Sequence, residues 1–282
     1  MKNVGLVLEG GAMRGVYTSG VLDFLMDNNF NTSYVIGVSA GSCNGAFYVA
    51  KQRGGAKKST IDVLDEVHYV SYRNLFRNGS LLCMDLIFDK FPNEIVHFDY
   101  ESFYNSHQKF VIVATNCETG NPIYYDKNSN HNIWQLCRAS SSLPLICPIV
   151  NIDNNKLLDG GLTDAIPIRK AIEDGNERNI LILTRPKGYR KKPSKSKLLI
   201  HRKYAEYPDL QNAIFNRYKM YNDTLDYIEK LEEEGKVFVI RPSKIIAVGR
   251  MEQHKDKLLN LYNLGYEDCK NKFEELLKWY NK

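Results

Sequence analysis

The stretch that decides the fold is Tyr34-Val35-Ile36-Gly37-Val38-Ser39-Ala40-Gly41. Its first five residues form a short apolar run, which predicts a buried β-strand. Residues 41–51 after it are predicted to form a helix, which the Gly54-Gly55 pair ends or interrupts. The stretch therefore predicts a sharp strand-to-helix turn at Ser39.

Working outward, other short apolar runs predict further strands, and helical patterns lie between them. These runs are Val4–Leu8, Phe110–Thr115, Asn179–Thr184 and Val237–Ile240. Strands that alternate with helices imply a largely parallel sheet that is covered by helices on both faces.

The composition is that of an ordinary globular chain, with 282 residues, 43% hydrophobic, 25% charged and a formal net charge of +5. It excludes bulk disorder and collagen-like structure. We expect no transmembrane helix, because no apolar run approaches eighteen residues, and no secretory signal, because the first apolar stretch soon meets Glu9. The six scattered cysteines form no C-x-x-C pair, which predicts reduced thiols, no zinc site and a cytoplasmic location.

The turn Gly37-Val38-Ser39-Ala40-Gly41 fits the pattern G-x-S-x-G, placed as that motif requires between a strand and a helix. Such a turn holds the serine in a strained conformation with its hydroxyl exposed, and glycines two residues to either side avoid collisions. The helix that follows places backbone N–H groups and a positive dipole end near a developing oxyanion. The pattern is short, so a chance match is the alternative interpretation.

A second glycine-rich loop, Gly10-Gly11-Ala12-Met13-Arg14-Gly15, joins the first predicted strand to the first helix. Its exposed N–H groups could face an anion. Dinucleotide binding is disfavoured, because Ala12 interrupts the G-x-G-x-x-G pattern and the second strand ends at Ser39 rather than at an acid. An oxyanion hole for Ser39 explains both features. Arg14 could brace the loop, attract an anionic head group or simply cap the turn.

The sequence offers two kinds of base for Ser39. A conventional triad would need a late histidine, and only His201 and His254 qualify, each in a polar stretch where an exposed histidine is expected. Asp159 instead follows an apolar run directly and precedes Gly160-Gly161, which would let another backbone approach. A buried carboxylate there could take the serine proton directly, although D-G is also a common turn.

Together, Gly10 to Gly15, Gly37 to Gly41 and Asp159 to Gly161 resemble the oxyanion loop, nucleophile elbow and D-G-G/A motif of the patatin-like phospholipases. The segment from Arg138 to Pro144 is similar to that family's A-S-x-x-x-P segment. Ala12 departs from the pattern, since many members have a third glycine there.

The resemblance implies a three-layer α/β/α fold with a mostly parallel central sheet. It implies a catalytic core over residues 4–185. The Lys- and Arg-rich composition that follows predicts a basic loop or linker over 186–204, and helical patterns after it predict a C-terminal helical extension over 205–282 packed on the core.

The resemblance also implies an activity, the hydrolysis of carboxylic esters of lipids by a Ser39–Asp159 dyad without metal or organic cofactor. The remaining site residues would be Gly37 and Gly41 of the elbow, Gly160 and Gly161 of the acid motif, and the oxyanion-hole residues Gly10, Gly11, Ala12, Arg14 and Gly15. The alternative is a non-catalytic lipid-binding or membrane-binding module that retains the fold.

Eight positive side chains lie in residues 187–203, which we call the basic segment: Lys187, Arg190, Lys191, Lys192, Lys195, Lys197, Arg202 and Lys203. For an enzyme acting on lipids, this cluster predicts peripheral contact with an anionic membrane surface. A solvated flexible loop is the simpler interpretation. Nucleic acid is not expected as a partner, because no aromatic-interleaved recognition motif accompanies the charges. The oligomeric state stays open.

Overall fold

A computed structural model describes residues 3–65 and 82–282. The strands are β1 (Val4–Leu8), β2 (Tyr34–Val38), β3 (Lys109–Asn116), β4 (Pro122–Asp126), β5 (Val150–Ile152), β6 (Asn155–Asp159), β7 (Arg178–Ile182) and β8 (Val237–Ile240). They form one eight-stranded sheet in the order β5-β6-β3-β2-β1-β7-β8, with β4 also paired to β3. Strands β3, β2, β1, β7 and β8 are mutually parallel, β4 and β6 each pair antiparallel with β3, and β5 pairs antiparallel with β6.

Helices cover both faces of this sheet. They are α1 (Val16–Asp27), α2 (Ala40–Val49), α3 (Gly55–Thr60), α4 (Tyr100–Asn105), α5 (Ile133–Ser140), α6 (Ile168–Glu173), α7 (Lys197–Lys203), α8 (Pro208–Glu233) and α9 (Lys255–Asn281). Short 3-10 turns span Ala12–Gly15, Asp62–Asp65 and Gly160–Leu162, and a π-helical stretch spans Leu86–Ile95.

Two hydrophobic layers form because successive strand side chains point to opposite faces of the sheet. In β2, Val35 packs in the layer beneath α1, α2 and α9, whereas Ile36 packs beneath α6 and α8. The arrangement confirms the predicted three-layer α/β/α fold with a mostly parallel sheet.

The C-terminal part of the chain completes this fold, because β8 pairs with β7 and α8 and α9 lie in opposite layers. Helix α9 approaches α1 closely at Gly20 and Gly265, where an added Cβ would lie about 2 Å from a carbonyl oxygen of the other helix. Tyr262 donates a 2.6 Å hydrogen bond to the Asp23 carboxylate across the same contact. The expected helical extension thus also contributes a strand to the central sheet.

The segment 186–204 differs from the predicted loop in its second half, where Lys197–Lys203 form α7. Ile200 is buried and holds this short helix against the protein, while Leu198 and Leu199 remain exposed. In the part of the chain that the structure describes, no helix combines the length and apolar character needed to cross a bilayer.

Candidate active site

Ser39 occupies the turn between β2 and α2 in a strained backbone conformation, with φ 54° and ψ −124°. Non-glycine residues rarely adopt positive φ, and such strain is typical of functional turns. The Ser39 carbonyl accepts hydrogen bonds from the Ser42 N–H at 2.9 Å and the Ser42 hydroxyl at 2.6 Å. These bonds fix the turn from its helical side.

The glycines that flank Ser39 allow the end of β2, the start of α2 and the end of β1 to pack closely together. A Cβ on Gly37 would lie 2.6 Å from the Gly41 carbonyl oxygen, and one on Gly41 would lie 2.5 Å from that of Leu8. Real Cβ atoms essentially never come so close. Both positions therefore require glycine for the turn to pack on β1.

Ser140 supports the turn from the other side. Its hydroxyl accepts a 2.8 Å hydrogen bond from the Ser39 N–H and donates a 2.6 Å bond to the Val113 carbonyl on β3. The hydroxyl thus ties the end of α5 and strand β3 to the backbone of Ser39. Ser140 is the serine of the A-S-x-x-x-P segment, so this contact gives that segment a structural role.

Asp159 ends β6 and is brought to Ser39 by the sheet. Its backbone is fixed by the Thr115 hydroxyl, which donates to its carbonyl at 2.9 Å, and by its own N–H, which donates to the Ser142 carbonyl at 2.8 Å. The carboxylate accepts a 2.8 Å hydrogen bond from the Gly161 N–H. A Cβ on Gly160 would lie 2.2 Å from the Val113 carbonyl oxygen, so the acid motif needs glycine there to lie against β3.

Burial raises the pKa of the Asp159 carboxyl, because a charged carboxylate loses its hydration there. The positive charge of Arg217, the nearby Ser39 hydroxyl and the hydrogen bond from the Gly161 N–H each lower the pKa of this carboxyl in part. Ser39 and Asp159 are both buried and line the same pocket, so the serine hydroxyl lies beside the carboxylate. A carboxylate of raised basicity beside a serine hydroxyl has the arrangement that a general base needs.

The glycine-rich loop supplies donors beside Ser39. Among the described residues, the N–H groups of Gly11 and Ala12 have no hydrogen-bond acceptor, and Ala12 adopts a positive φ of 48°. The N–H groups of Gly10 and Arg14 instead donate within the protein, to Ala165 and Gly11 carbonyls, respectively. Fewer backbone N–H groups of this loop are therefore free to bind an oxyanion than the sequence predicted.

The other loop residues act through packing or side chains. A Cβ on Gly10 would lie 3.3 Å from the Ser39 Cβ, and one on Gly15 would lie 2.6 Å from the Ala40 Cβ. Both glycines therefore let the loop lie against the turn. Arg14 contributes its guanidinium to the pocket described next.

Two pockets meet at Ser39. The apolar cavity has a volume of about 150 Å³ and lies on the α2 side; its walls include Phe47, Phe88, Phe91, Trp134, Leu143 and Met251. The basic pocket lies on the Asp159 side and is lined by Glu9, Asp159 and the cationic side chains Arg14, Arg185, Lys191, Arg217 and Arg250. Ser39, Ala12, Leu143 and Arg250 line both pockets. A group bound at Ser39 therefore has an apolar side and a cationic side.

Three residues that surround the basic pocket, Glu9, Arg217 and Tyr221, were not predicted from the sequence. The Glu9 carboxylate accepts hydrogen bonds from the Tyr221 hydroxyl at 2.6 Å and from the Thr184 N–H at 2.5 Å. Arg217 on α8 donates from Nε to the Gly161 carbonyl at 2.5 Å, beside the acid motif. A single polar residue after β1 was the only available signal for Glu9, and nothing local in the α8 sequence marks Tyr221 or Arg217.

The two histidine candidates lie elsewhere. His201 packs against the Phe215 ring at 5.0 Å, and the His254 side chain is 76% exposed beside Glu252. Neither lines the apolar cavity or the basic pocket. Within residues 3–65 and 82–282, no group of three His, Cys, Asp or Glu side chains is arranged to hold a metal ion.

Comparison with known families gives two matches. The model for patatin-like phospholipase matches residues 6–172, and a domain of unknown function, DUF6363, matches residues 207–281. The first match includes Ser39, Asp159 and the glycine-rich loop, and it confirms the resemblance found in the sequence.

Individual relatives are distant. The uncharacterized protein YjjU of Escherichia coli (strain K12) is 27% identical over 269 residues, which are 93% of this chain and 74% of that protein. Lysophospholipase NTE1 of Cryptococcus neoformans is 27% identical over 198 residues, 64% of this chain but only 11% of that much longer protein. The crystal structure of VipD from Legionella pneumophila is similar in fold, with a TM-score of 0.54, 13% sequence identity and coverage of 96% of this chain and 67% of that one.

Proposed function

The chain belongs to the patatin-like phospholipase family, and from that premise we propose that it hydrolyses carboxylic esters of lipids with Ser39 as nucleophile and Asp159 as base. The observation that carries the proposal is that Ser39, on a turn with a strained backbone, lines the same pocket as the buried Asp159 carboxylate. The apolar cavity beside Ser39 would take an acyl chain. The lysophospholipase name of the fungal relatives agrees with a lipid ester as substrate.

In the proposed reaction, Asp159 accepts the Ser39 hydroxyl proton while Oγ attacks the ester carbonyl carbon. The N–H groups of Gly11 and Ala12 stabilise the oxyanion of the tetrahedral intermediate. When the carbonyl–oxygen bond to the alcohol breaks, Asp159 returns the proton to the leaving alkoxide. Water then attacks the acyl-enzyme, with Asp159 accepting its proton and passing it back to Ser39, which releases the fatty acid.

The experiment that tests the activity is release of fatty acid from a monoacyl lipid by the purified full chain. Turnover that depends on Ser39 supports the proposal. Binding to lipid vesicles with no turnover of any ester would instead support the non-catalytic module.

The pH dependence of hydrolysis should reflect the environment of Asp159. Only the carboxylate can accept a proton, and burial raises its pKa, so kcat should fall as the pH decreases through this raised value rather than through the usual range of a carboxyl group. The charge of Arg217 lowers the same pKa. Arg217→Gln should therefore move the acidic limb of the pH profile to higher pH.

The measurement is kcat against pH with a soluble p-nitrophenyl ester. Arg217→Lys keeps the charge and is the matched control, for which a smaller shift is expected. An acidic limb that stays in place in Arg217→Gln would contradict the role of Asp159 as the base.

Contact with a membrane is a further part of the proposal. Leu198 and Leu199 on α7 are 82% and 61% exposed, and basic side chains flank them, among them Lys195, Lys197 and Arg202. Exposed apolar side chains among cations suit the surface of an anionic bilayer. This surface would bring the enzyme to its lipid.

We expect the double variant Leu198→Ser/Leu199→Ser to bind phosphatidylglycerol vesicles at least about tenfold more weakly, because burial of each leucine contributes about 1.5–3 kcal/mol. Cosedimentation with vesicles measures this change. Tyr104→Ser, which removes an exposed apolar ring on α4, should bind like the wild type. If the double variant binds the vesicles as tightly as the wild type does, α7 is not the membrane-contact surface.

A further inference from the structure

The N–H groups of Gly11 and Ala12, the proposed oxyanion donors, lie in a loop with a strained backbone. Ala12 adopts a positive φ of 48°. A residue with a side chain pays free energy for this conformation, which persists only where surrounding contacts hold it in place. The position of both donors therefore depends on the contacts that hold the loop.

One group of contacts holds the loop immediately before the donors. The Glu9 carboxylate is buried, and both of its oxygens accept hydrogen bonds. Oε1 accepts from the Tyr221 hydroxyl at 2.6 Å, and Oε2 accepts from the N–H of Thr184 at 2.5 Å and from its hydroxyl at 3.0 Å. Hydrogen bonds to a carboxylate are stronger than those between neutral groups. Glu9 therefore joins the end of β1 firmly to helix α8 and to the residues that follow β7.

Thr184 carries this contact to the loop itself. A Cβ on Gly11 would lie 3.0 Å from both the hydroxyl oxygen and Cγ2 of Thr184, so the Gly11 backbone rests against this side chain. The Thr184 hydroxyl is in turn bonded to Glu9. A continuous line of contacts thus runs from Tyr221 through Glu9 and Thr184 to an oxyanion donor.

A second contact holds the loop immediately after the donors, where the Met13 N–H donates to the Arg250 carbonyl at 3.4 Å. Tyr221 and Arg250 both lie within the matched domain at 207–281, and Thr184 lies between the two matched ranges. The loop is therefore held on both sides of its donors by parts of the chain outside the catalytic family match.

Tyr221 is suited to a fixed support. Its side chain is buried, and burial together with the charge of Glu9 raises the pKa of Tyr221, so the hydroxyl keeps the proton that it donates. Lys191 lies over the ring, with Nζ 4.3 Å from the ring centre. Because these ring contacts do not involve the hydroxyl, phenylalanine should occupy the same place.

We propose that Tyr221 is a positioning residue for ester hydrolysis, which holds the Gly11 N–H and with it the oxyanion hole in place through Glu9 and Thr184. This inference rests on the proposed Ser39 hydrolase. It gives the DUF6363 domain a part in catalysis in addition to its part in the fold. Tyr221 acts through Glu9, to which its hydroxyl is bonded, and not on the substrate.

The first test is Tyr221→Phe, which removes the hydroxyl and keeps the ring. We expect kcat for a p-nitrophenyl ester to fall about tenfold with little change in KM, because a displaced donor weakens binding of the transition state more than binding of the ester. The loss should be smaller than the roughly 100-fold or greater loss that follows removal of an oxyanion donor itself.

A transition-state analogue reports on the oxyanion hole separately from protein stability. When an alkyl trifluoromethyl ketone binds, the Ser39 oxygen adds to its carbonyl carbon, Asp159 accepts the hydroxyl proton, and the carbonyl oxygen becomes the oxyanion. The inhibition constant Ki should rise about tenfold in Tyr221→Phe, in step with the loss of kcat/KM.

Tyr262→Phe is the matched control. Tyr262 lies in the same domain and also donates a 2.6 Å hydrogen bond to a buried carboxylate, that of Asp23, but neither residue lines the apolar cavity or the basic pocket. Tyr262→Phe should lower the melting temperature about as much as Tyr221→Phe and leave kcat, KM and Ki unchanged. An equal loss of kcat in both variants would mean that destabilisation is responsible, and it would refute the positioning role.

A double variant tests the route through Glu9. If Tyr221 acts through this carboxylate, Tyr221→Phe/Glu9→Gln should lose no more kcat than Glu9→Gln alone, because the two residues work as a unit. Losses that multiply in the double variant would show that the two residues act independently, and they would overturn this route.

The remaining outcomes separate this inference from the proposed function. Unchanged kcat and Ki in Tyr221→Phe would overturn the positioning role and leave the hydrolase intact. So would a raised KM with unchanged Ki, which would make Tyr221 a substrate contact. A wild-type chain that hydrolyses no ester and binds no trifluoromethyl ketone would overturn the proposed function and the positioning role together.

Discussion

Replacement of Ser39 by alanine should abolish ester hydrolysis by the chain. The variant removes the oxygen that attacks the carbonyl. The Ser42 and Ser140 hydroxyls nearby cannot replace it, because each is bonded to a backbone carbonyl. In serine hydrolases, removal of the nucleophile lowers kcat by a factor on the order of 10⁶. The measurement is the initial rate of p-nitrophenyl ester hydrolysis and of fatty acid release from a monoacyl lipid.

The expected loss should occur without unfolding, because the Ser39 hydroxyl holds no structural element in place. The backbone of residue 39 keeps the contacts to Ser42 and Ser140 that fix the turn. The far-ultraviolet circular dichroism and melting temperature should therefore match the wild type. Ser102→Ala, at the exposed start of a helix, is the control for effects of mutagenesis and purification and should keep wild-type activity. Hydrolysis that survives in Ser39→Ala would rule out Ser39 as the nucleophile.

Asp159→Asn is expected to lower kcat by about 10²–10⁴-fold, the usual contribution of general acid–base catalysis. Asparagine fills the same space and can still accept the hydrogen bond from the Gly161 N–H. It cannot take the Ser39 proton, however, and it cannot return a proton to the leaving alkoxide. The loss should appear in kcat and be measured on the same two substrates.

The stability of Asp159→Asn separates a catalytic role from a structural one. Because the folded-state pKa of Asp159 is raised, ionisation of this carboxyl costs folding free energy at neutral pH. The cost is absent below the unfolded-state pKa and develops as the pH rises through the folded-state pKa. Asp159→Asn should therefore melt at the wild-type temperature or higher at pH 7, with the gain disappearing in acid.

A lower melting temperature together with near-normal hydrolysis would mean that Asp159 is a structural residue. Urea unfolding at pH 7 and at acidic pH provides the two measurements. If Asp159→Asn is more stable than the wild type and has lost hydrolytic activity, the buried charge of Asp159 is needed for catalysis and destabilises the fold.

The parts of the fold that the sequence could predict are those coded locally. The apolar runs at Val4–Leu8 and Tyr34–Val38 are strands because their residues are buried on both faces of a parallel sheet. Gly37 and Gly41 could be predicted because their spacing around Ser39 forms a short motif, and an added Cβ at either would collide with a backbone carbonyl. Short-range sterics of this kind leave a mark in a single sequence.

The parts that could not be predicted depend on contacts between distant segments. Tyr221 reaches Glu9 across 212 positions of the chain, and Arg217 reaches the acid motif from a helix with no sequence pattern that marks it as part of a site. Lys191 was predicted as one charge among eight in an exposed segment, yet it is partly buried against a tyrosine ring. Only the fold shows which of several similar basic residues turns inward.

The most direct test of the account is covalent labelling with a fluorophosphonate, which a hydrolase serine attacks with loss of fluoride. Intact mass and peptide mapping of the wild-type chain should show one adduct, on Ser39, and Asp159→Asn should label far more slowly because its serine is no longer deprotonated. Absence of an adduct, an adduct on another residue, or an equal labelling rate in Asp159→Asn would contradict the Ser39–Asp159 dyad.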